Sequence, residues 1–162
     1  MTSQQLDFRR AAGFFATGVT VVTAVHGDQV RAMTANSVTS VSLEPLSMLV
    51  CVNKEAVMHG VLSAAGAFCL NVLSEDQESL SRACAQPDTR EATLEGVPYR
   101  LGTMGLPVLT EAIAYFECKL AGTLDFGTHT VCVGEVIGFG ESEGRPLLFY
   151  KGRYGRLPDE VP

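Results

Sequence analysis

The chain has five cysteines, Cys51, Cys69, Cys84, Cys118 and Cys132, yet no CxxC pair among them. Without closely spaced ligand pairs, a structural zinc site has no support. An odd number of widely separated cysteines does not make a disulfide framework either. Buried, reduced thiols are expected, which suits a cytoplasmic protein. No apolar run approaches the roughly 18 residues of a membrane-spanning helix. The opening MTSQQLDFRR lacks the apolar stretch of a secretion signal, so secretion is not expected. Basic residues are scarce, 12 against 18 acidic ones for a net charge of -6. That balance removes the electrostatic case for nucleic acid, although a single local cation can still hold a phosphate.

Catalytic signatures are missing as well. The three histidines, His26, His59 and His129, do not form HExxH. GxxxxGK[ST] is absent and no GxGxxG follows a strand-like run; the one GxSxG match, GESEG at 140–144, runs into Arg145-Pro146 and a strand, not into the helix that a nucleophile elbow needs. Metalloprotease, serine-hydrolase and the common dinucleotide-fold readings therefore have no support. There is no internal repeat, linker or low-complexity stretch.

What is there reads as one domain over residues 1–162, long enough for a real core. A first helix is expected from a cap at Ser3 to about Phe15. GVTVVTAV (residues 18–25) is β-branched and reads as a strand, and His26-Gly27-Asp28 turns it into a hairpin. Residues 48–52 form a short buried strand. Asn53-Lys54 then opens a helix with Val57, Val61 and Leu62 on one face, closed by Gly66. Residues 67–73 are a further strand. Ser74 and Gln77 make a capping box for a helix that turns Leu80, Ala83 and Cys84 inward. A short helix is expected near residues 91–95. Strands follow at 115–124, 130–138 and 146–150. With no helices between these last strands, a parallel sheet is disfavoured; a mainly β, closed or partly closed antiparallel barrel with peripheral helices is expected.

Three features carry possible chemistry. Thr34, Asn36, Ser37, Thr39, Ser40 and Ser42 cluster small hydroxyl and amide groups in MTANSVTSVS (residues 33–42). Taken alone, the cluster reads as a solvated edge strand or loop, or as a chain of small side chains that a flat, polar-edged ring such as flavin can approach. Asn53-Lys54 ahead of a helix reads as a cap with a solvated lysine, or as a phosphate site. His129 precedes a strand, either as a surface turn residue or pointing into a pocket.

At these residues the chain resembles the short-chain flavin reductases, the reductase components of two-component flavin-dependent monooxygenases. Four blocks carry the likeness in order: FFATGVTVVTA (14–24), MTANSVTSVSLEPLSMLVCVNK (33–54), GLPVLTEAIAYFECKL (105–120), and THTVCVGEVIGF (128–139) with PLLFYKGRYGRL (146–157). The resemblance implies an antiparallel split β-barrel of Greek-key, FMN-binding type, in a homodimer. It implies hydride transfer from NADH or NADPH to FMN or FAD, with reduced flavin passed to a separate oxygenase; the alternatives are a non-catalytic flavin-binding or redox-sensing module, or a flavoprotein that keeps its flavin and reduces another acceptor. It places Thr34, Ala35, Asn36, Ser37 and Val38 along the flavin. Cys51, Val52, Asn53 and Lys54 continue toward the phosphate with His59, His129 lies near the nicotinamide, and Tyr154 lies beside the site. One stretch departs from the family pattern. Where Ser-x-Thr-His is common, this chain has Glu55-Ala56-Val57-Met58-His59, which implies weaker phosphate contact or reliance on Lys54, His59 and backbone amides.

Overall fold

The computed structural model describes residues 1–86 and 94–158. Helix α1 (Ser3–Ala12) leads into β1 (Thr17–Gly18), the hairpin β2 (Thr20–His26) and β3 (Gln29–Ala35), then β4 (Val38–Leu43) and β5 (Leu46–Asn53). Helix α2 (Val57–Ala65), β6 (Ala67–Val72) and helix α3 (Glu78–Cys84) follow. Next come β7 (Tyr99–Leu101), β8 (Pro107–Leu109), the long hairpin β9 (Ala114–Phe126) and β10 (His129–Glu141), and finally β11 (Leu148–Tyr150) and β12 (Arg153–Gly155). Seven strands form one sheet in the order β3-β2-β6-β9-β10-β5-β4, and every pairing is antiparallel.

That order dictates a barrel. Strands β3 and β4 are the two edges of the sheet, yet only Asn36 and Ser37 separate them in the chain. Laid flat, seven strands at about 4.8 Å spacing would put the edges about 29 Å apart. A two-residue link reaches about 11 Å at most, so the sheet must curl until its edges approach. The expected antiparallel split barrel is therefore what forms, with a corner at the segment singled out in the sequence.

Strand β5 alternates as a half-buried strand must: Val50 and Val52 are fully buried, Cys51 is half-buried and Asn53 exposed. The barrel interior is filled by Val22, Ala24, Val50, Val52, Phe68 and Leu70, with α2 laid against it through Met58, Val61 and Leu62. A second core, with Val19, Val21, Leu73, Cys84, Leu109 and Leu147, lies outside this cluster. Strand β2 serves both, because α3 and β8 cover the face that the barrel does not.

Several expectations need correction. Thr2, not Ser3, caps α1: its hydroxyl accepts from Gln5 N, and the Gln5 side chain accepts from Thr2 N. The capping box needs Gln at the third helical position, and only Thr2 has one three residues on. The helix stops at Ala12 instead of Phe15, and none of its residues is buried. In α2 the inward set is Met58, Val61 and Leu62, while Val57 is exposed; the i, i+3, i+4 stripe begins one residue later. In α3 Ala83 is exposed; Ser81 and Cys84, one turn apart, are buried and Leu80 is half-buried. The helix expected near 91–95 lies largely outside the described residues. Gly66 closes α2 in the left-handed conformation at φ 66, the expected glycine C-cap, and the Ser74–Gln77 box is present ahead of α3. No helix among the described residues is long and apolar enough to cross a membrane.

Candidate functional site

Strand pairing gathers most of the residues singled out from the sequence. At the barrel corner, Cys51 N donates to Ser37 O at 3.1 Å, and the Ser37 hydroxyl donates to Cys51 O at 3.1 Å. Val38 sits opposite Val50, and Asn53 sits opposite His129. Segments 36–38 and 51–54 and His129 thus lie side by side on β4, β5 and β10. Asn36 and Ser37 are exposed, and Val38 and Cys51 half-buried, so the corner is open to a ligand. Ala35 and Val52 are different. Their side chains belong to the barrel core, so only their backbone can face a ligand.

Where Asn53-Lys54 leads into α2, a polar network is built. Lys54 Nζ lies 3.1 Å from Asp125 Oδ2. The Thr130 hydroxyl donates to Asp125 Oδ1 at 2.6 Å, and His59 Nε2 lies 2.9 Å from the same hydroxyl. Hydrogen bonding by Thr130, and then by Lys54, holds the Asp125 carboxyl below the usual carboxylate range. Asp125 was not singled out from the sequence, although a signal existed. With Gly127 at φ 56 in a two-residue hairpin loop, residue 125 must fall opposite residue 130. Ala56, the N-cap of α2, has no side-chain acceptor, so the positive end of the helix keeps no side-chain partner of its own. Met58 points into the core and so takes no part in this region. His129 is exposed, with Nδ1 2.9 Å from the Thr128 hydroxyl.

Tyr154 packs against the second core. Its hydroxyl lies 2.8 Å from the Ser81 hydroxyl, and the Ser81 carbonyl accepts from the Thr34 hydroxyl at 2.6 Å. The Arg82 guanidinium stacks 4.6 Å above the Tyr154 ring. Fully buried Ser81 therefore ties the C-terminal tyrosine to β3. No sequence pattern marked Ser81, because its partners Thr34 and Tyr154 are 47 and 73 residues away. The cysteines are free, and four of them are buried. Burial pushes Cys69 and Cys118 up to about 12 and Cys84 up to about 11, so these thiols stay protonated and unreactive.

This donor set suits a flavin. Small side chains at an open corner allow close approach of a flat ring, and a lysine beside an uncapped helix start suits a phosphate at the far end. Comparisons with known proteins agree. The model of the flavin reductase like domain matches residues 11–158. The reductase component of a 4-nitrophenol 4-monooxygenase/4-nitrocatechol 2-monooxygenase from Rhodococcus opacus is 38% identical over 151 residues, 93% of this chain and 80% of that protein. An FMN reductase (NADH) from Agrobacterium fabrum is 40% identical over 151 residues, 93% of this chain and 85% of that protein. Among solved structures, the NADH:FAD oxidoreductase of Streptomyces globisporus in complex with NAD and FAD fragments matches at TM-score 0.90. It is 39% identical, covering 98% of this chain and 95% of that chain. With its antiparallel barrel, its open corner and a family match from residue 11 to 158, this chain belongs to the flavin reductase like domain family.

Proposed function

We propose that this protein is an NADH:flavin oxidoreductase that supplies reduced FMN or FAD to a separate flavin-dependent monooxygenase. The observation that carries the reading is the convergence of the 36–38 corner, the 51–54 segment and His129 on neighbouring strands. The relatives' names supply the reaction: one is an NADH-dependent FMN reductase and another a monooxygenase reductase component. We take residues 1–162 as one such unit, a reading supported by the match over 11–158.

Flavin, when bound, supplies a two-electron acceptor for the hydride of reduced nicotinamide, a step that requires placement more than acid or base. The chain's part is to place. Asn36, Ser37 and Val38, with Thr34 behind them, receive the ring edge, and the backbone at Ala35 and Val52 continues the wall beside Cys51. Asn53 holds the start of the α2 approach, its Oδ1 accepting from Glu55 N at 2.9 Å. Lys54 holds phosphate, while His59 braces Thr130. Tyr154, fixed by Ser81, closes one side. His129 orients the nicotinamide from the strand beside Asn53. His129→Ala should lower kcat/KM for NADH roughly tenfold, about 1.4 kcal/mol, with FMN affinity little changed. Unaltered kcat and KM would remove His129 from this role.

A homodimer in the cytoplasm completes the proposal. The dimer is supported by exposed Leu43 and Phe139 at a groove of about 420 Å³ that is also lined by Val38, Leu46 and Met48. The cytoplasm is supported by the free thiols. The whole reading is tested by following NADH oxidation with FMN, FAD or no flavin added. Saturable oxidation that requires flavin is expected; oxidation that ignores flavin, or none at all, would refute it.

A further inference from the structure

We propose that Asp125 is a built-in competitor of the flavin phosphate, a carboxylate that occupies Lys54 in the ligand-free protein and so keeps flavin exchangeable. The inference deepens the reading above and rests on Lys54 as the phosphate ligand.

The Lys54 ammonium and the backbone amides of residues 54–56 already have internal partners. The ammonium sits 3.1 Å from Asp125 Oδ2. The Lys54 backbone amide donates to Thr128 O, the Glu55 amide to Asn53 Oδ1 and the Ala56 amide to Asn53 O. Thr130 has one hydroxyl proton and gives it to Asp125 Oδ1 at 2.6 Å. The 2.9 Å contact from His59 Nε2 must then be a donation to the Thr130 oxygen, which commits that ring N–H as well.

Asp125 is more than a passing surface partner. Thr130 is almost wholly buried, 3% exposed, and so fixes the carboxylate from beneath. A phosphate arriving at Lys54 must share the ammonium with Asp125 or displace it, and it meets a fixed like charge while doing so. The Lys54–Asp125 pair is itself solvated, so the competition is modest and reversible. This suits a protein whose flavin leaves after reduction, and not one that retains it as a prosthetic group.

The test is a fluorescence titration of FMN and riboflavin against the wild type, Asp125→Asn, Asp125→Ala and Lys54→Ala, with thermal melts to confirm folding. Removing the charge should tighten FMN roughly three- to tenfold and leave riboflavin, which has no phosphate, within about twofold. FMN affinity unchanged or weakened in both Asp125 variants, with Lys54→Ala still selective against FMN, overturns the competitor and leaves the Lys54 role standing. Equal losses of FMN and riboflavin in Lys54→Ala overturn both.

Discussion

Glu117→Leu should lower the unfolding free energy by about 1–3 kcal/mol, the cost of taking the acceptors away from two partly buried backbone donors. Glu117 is 1% exposed. Its Oε2 accepts from Thr103 N at 2.8 Å and its Oε1 from Met104 N at 2.9 Å. The surroundings are shaped around this carboxylate. A Cβ on Gly102 would lie 2.3 Å from Glu117 Cδ, and one on Gly138 would lie 2.8 Å from Oε2. A branched leucine finds no spare room and offers no acceptor. Glu117→Gln keeps one acceptor but turns an amide donor toward the other N–H, so it should lose less than leucine does. Urea melts measure both, since the midpoint falls in proportion to stability at constant slope. A leucine variant within about 0.5 kcal/mol of wild type, the range of ordinary surface changes, would contradict this account of the β7–β8 turn.

Lys54→Ala should weaken FMN by about 1.5–3 kcal/mol, the worth of a hydrogen bond to a charged group, which is roughly 10- to 150-fold in affinity. Riboflavin should lose far less. The loss has two sources in this site. The cation that would hold the phosphate is gone, and Asp125, whose oxygen lay 3.1 Å from it, is left as an unopposed negative charge beside the phosphate. Comparing Lys54→Ala with Lys54→Ala/Asp125→Asn separates the two, because the second variant removes only the repulsion. Parallel losses for FMN and riboflavin would mean that Lys54 supports the fold of the site and not the phosphate.

Much of the architecture was legible in local chemistry. The Ser74–Gln77 box, Gly66 after α2 and the Gly27-Asp28 turn each state their structure within a few residues, and all three form as read. The small residues singled out at 33–42 span the link between β3 and β4, with Asn36 and Ser37 at the barrel corner. Closure of the barrel was legible only as a class. That β3 and β4 stand at opposite edges depends on β6 pairing with both β2 and β9, a long-range choice with no local mark. Errors of a single position have local causes. Val57 and Met58 are both apolar, and periodicity alone does not decide which of them starts the buried stripe. Ser81 is a small polar residue on a short helix, and only the folded chain reveals that it joins Thr34 to Tyr154. Asp125 was overlooked because a lone aspartate in a strand reads as solvated until the hairpin register sets it across from Thr130. The departure at Ala56 and Met58 divides in two. Met58 belongs to the core, while Ala56 removes a cap and leaves the helix end to an anion.

On the proposal above, one site running from the 36–38 corner to Lys54 holds the flavin. A crystal structure of the protein with FMN tests it most directly. The ring should lie along Asn36, Ser37 and Val38, with the phosphate within hydrogen-bond reach of Lys54 Nζ, about 3 Å, and Asp125 no longer its sole partner. A flavin bound elsewhere on the barrel, or one whose phosphate points away while the Lys54–Asp125 pair stays closed, would contradict it.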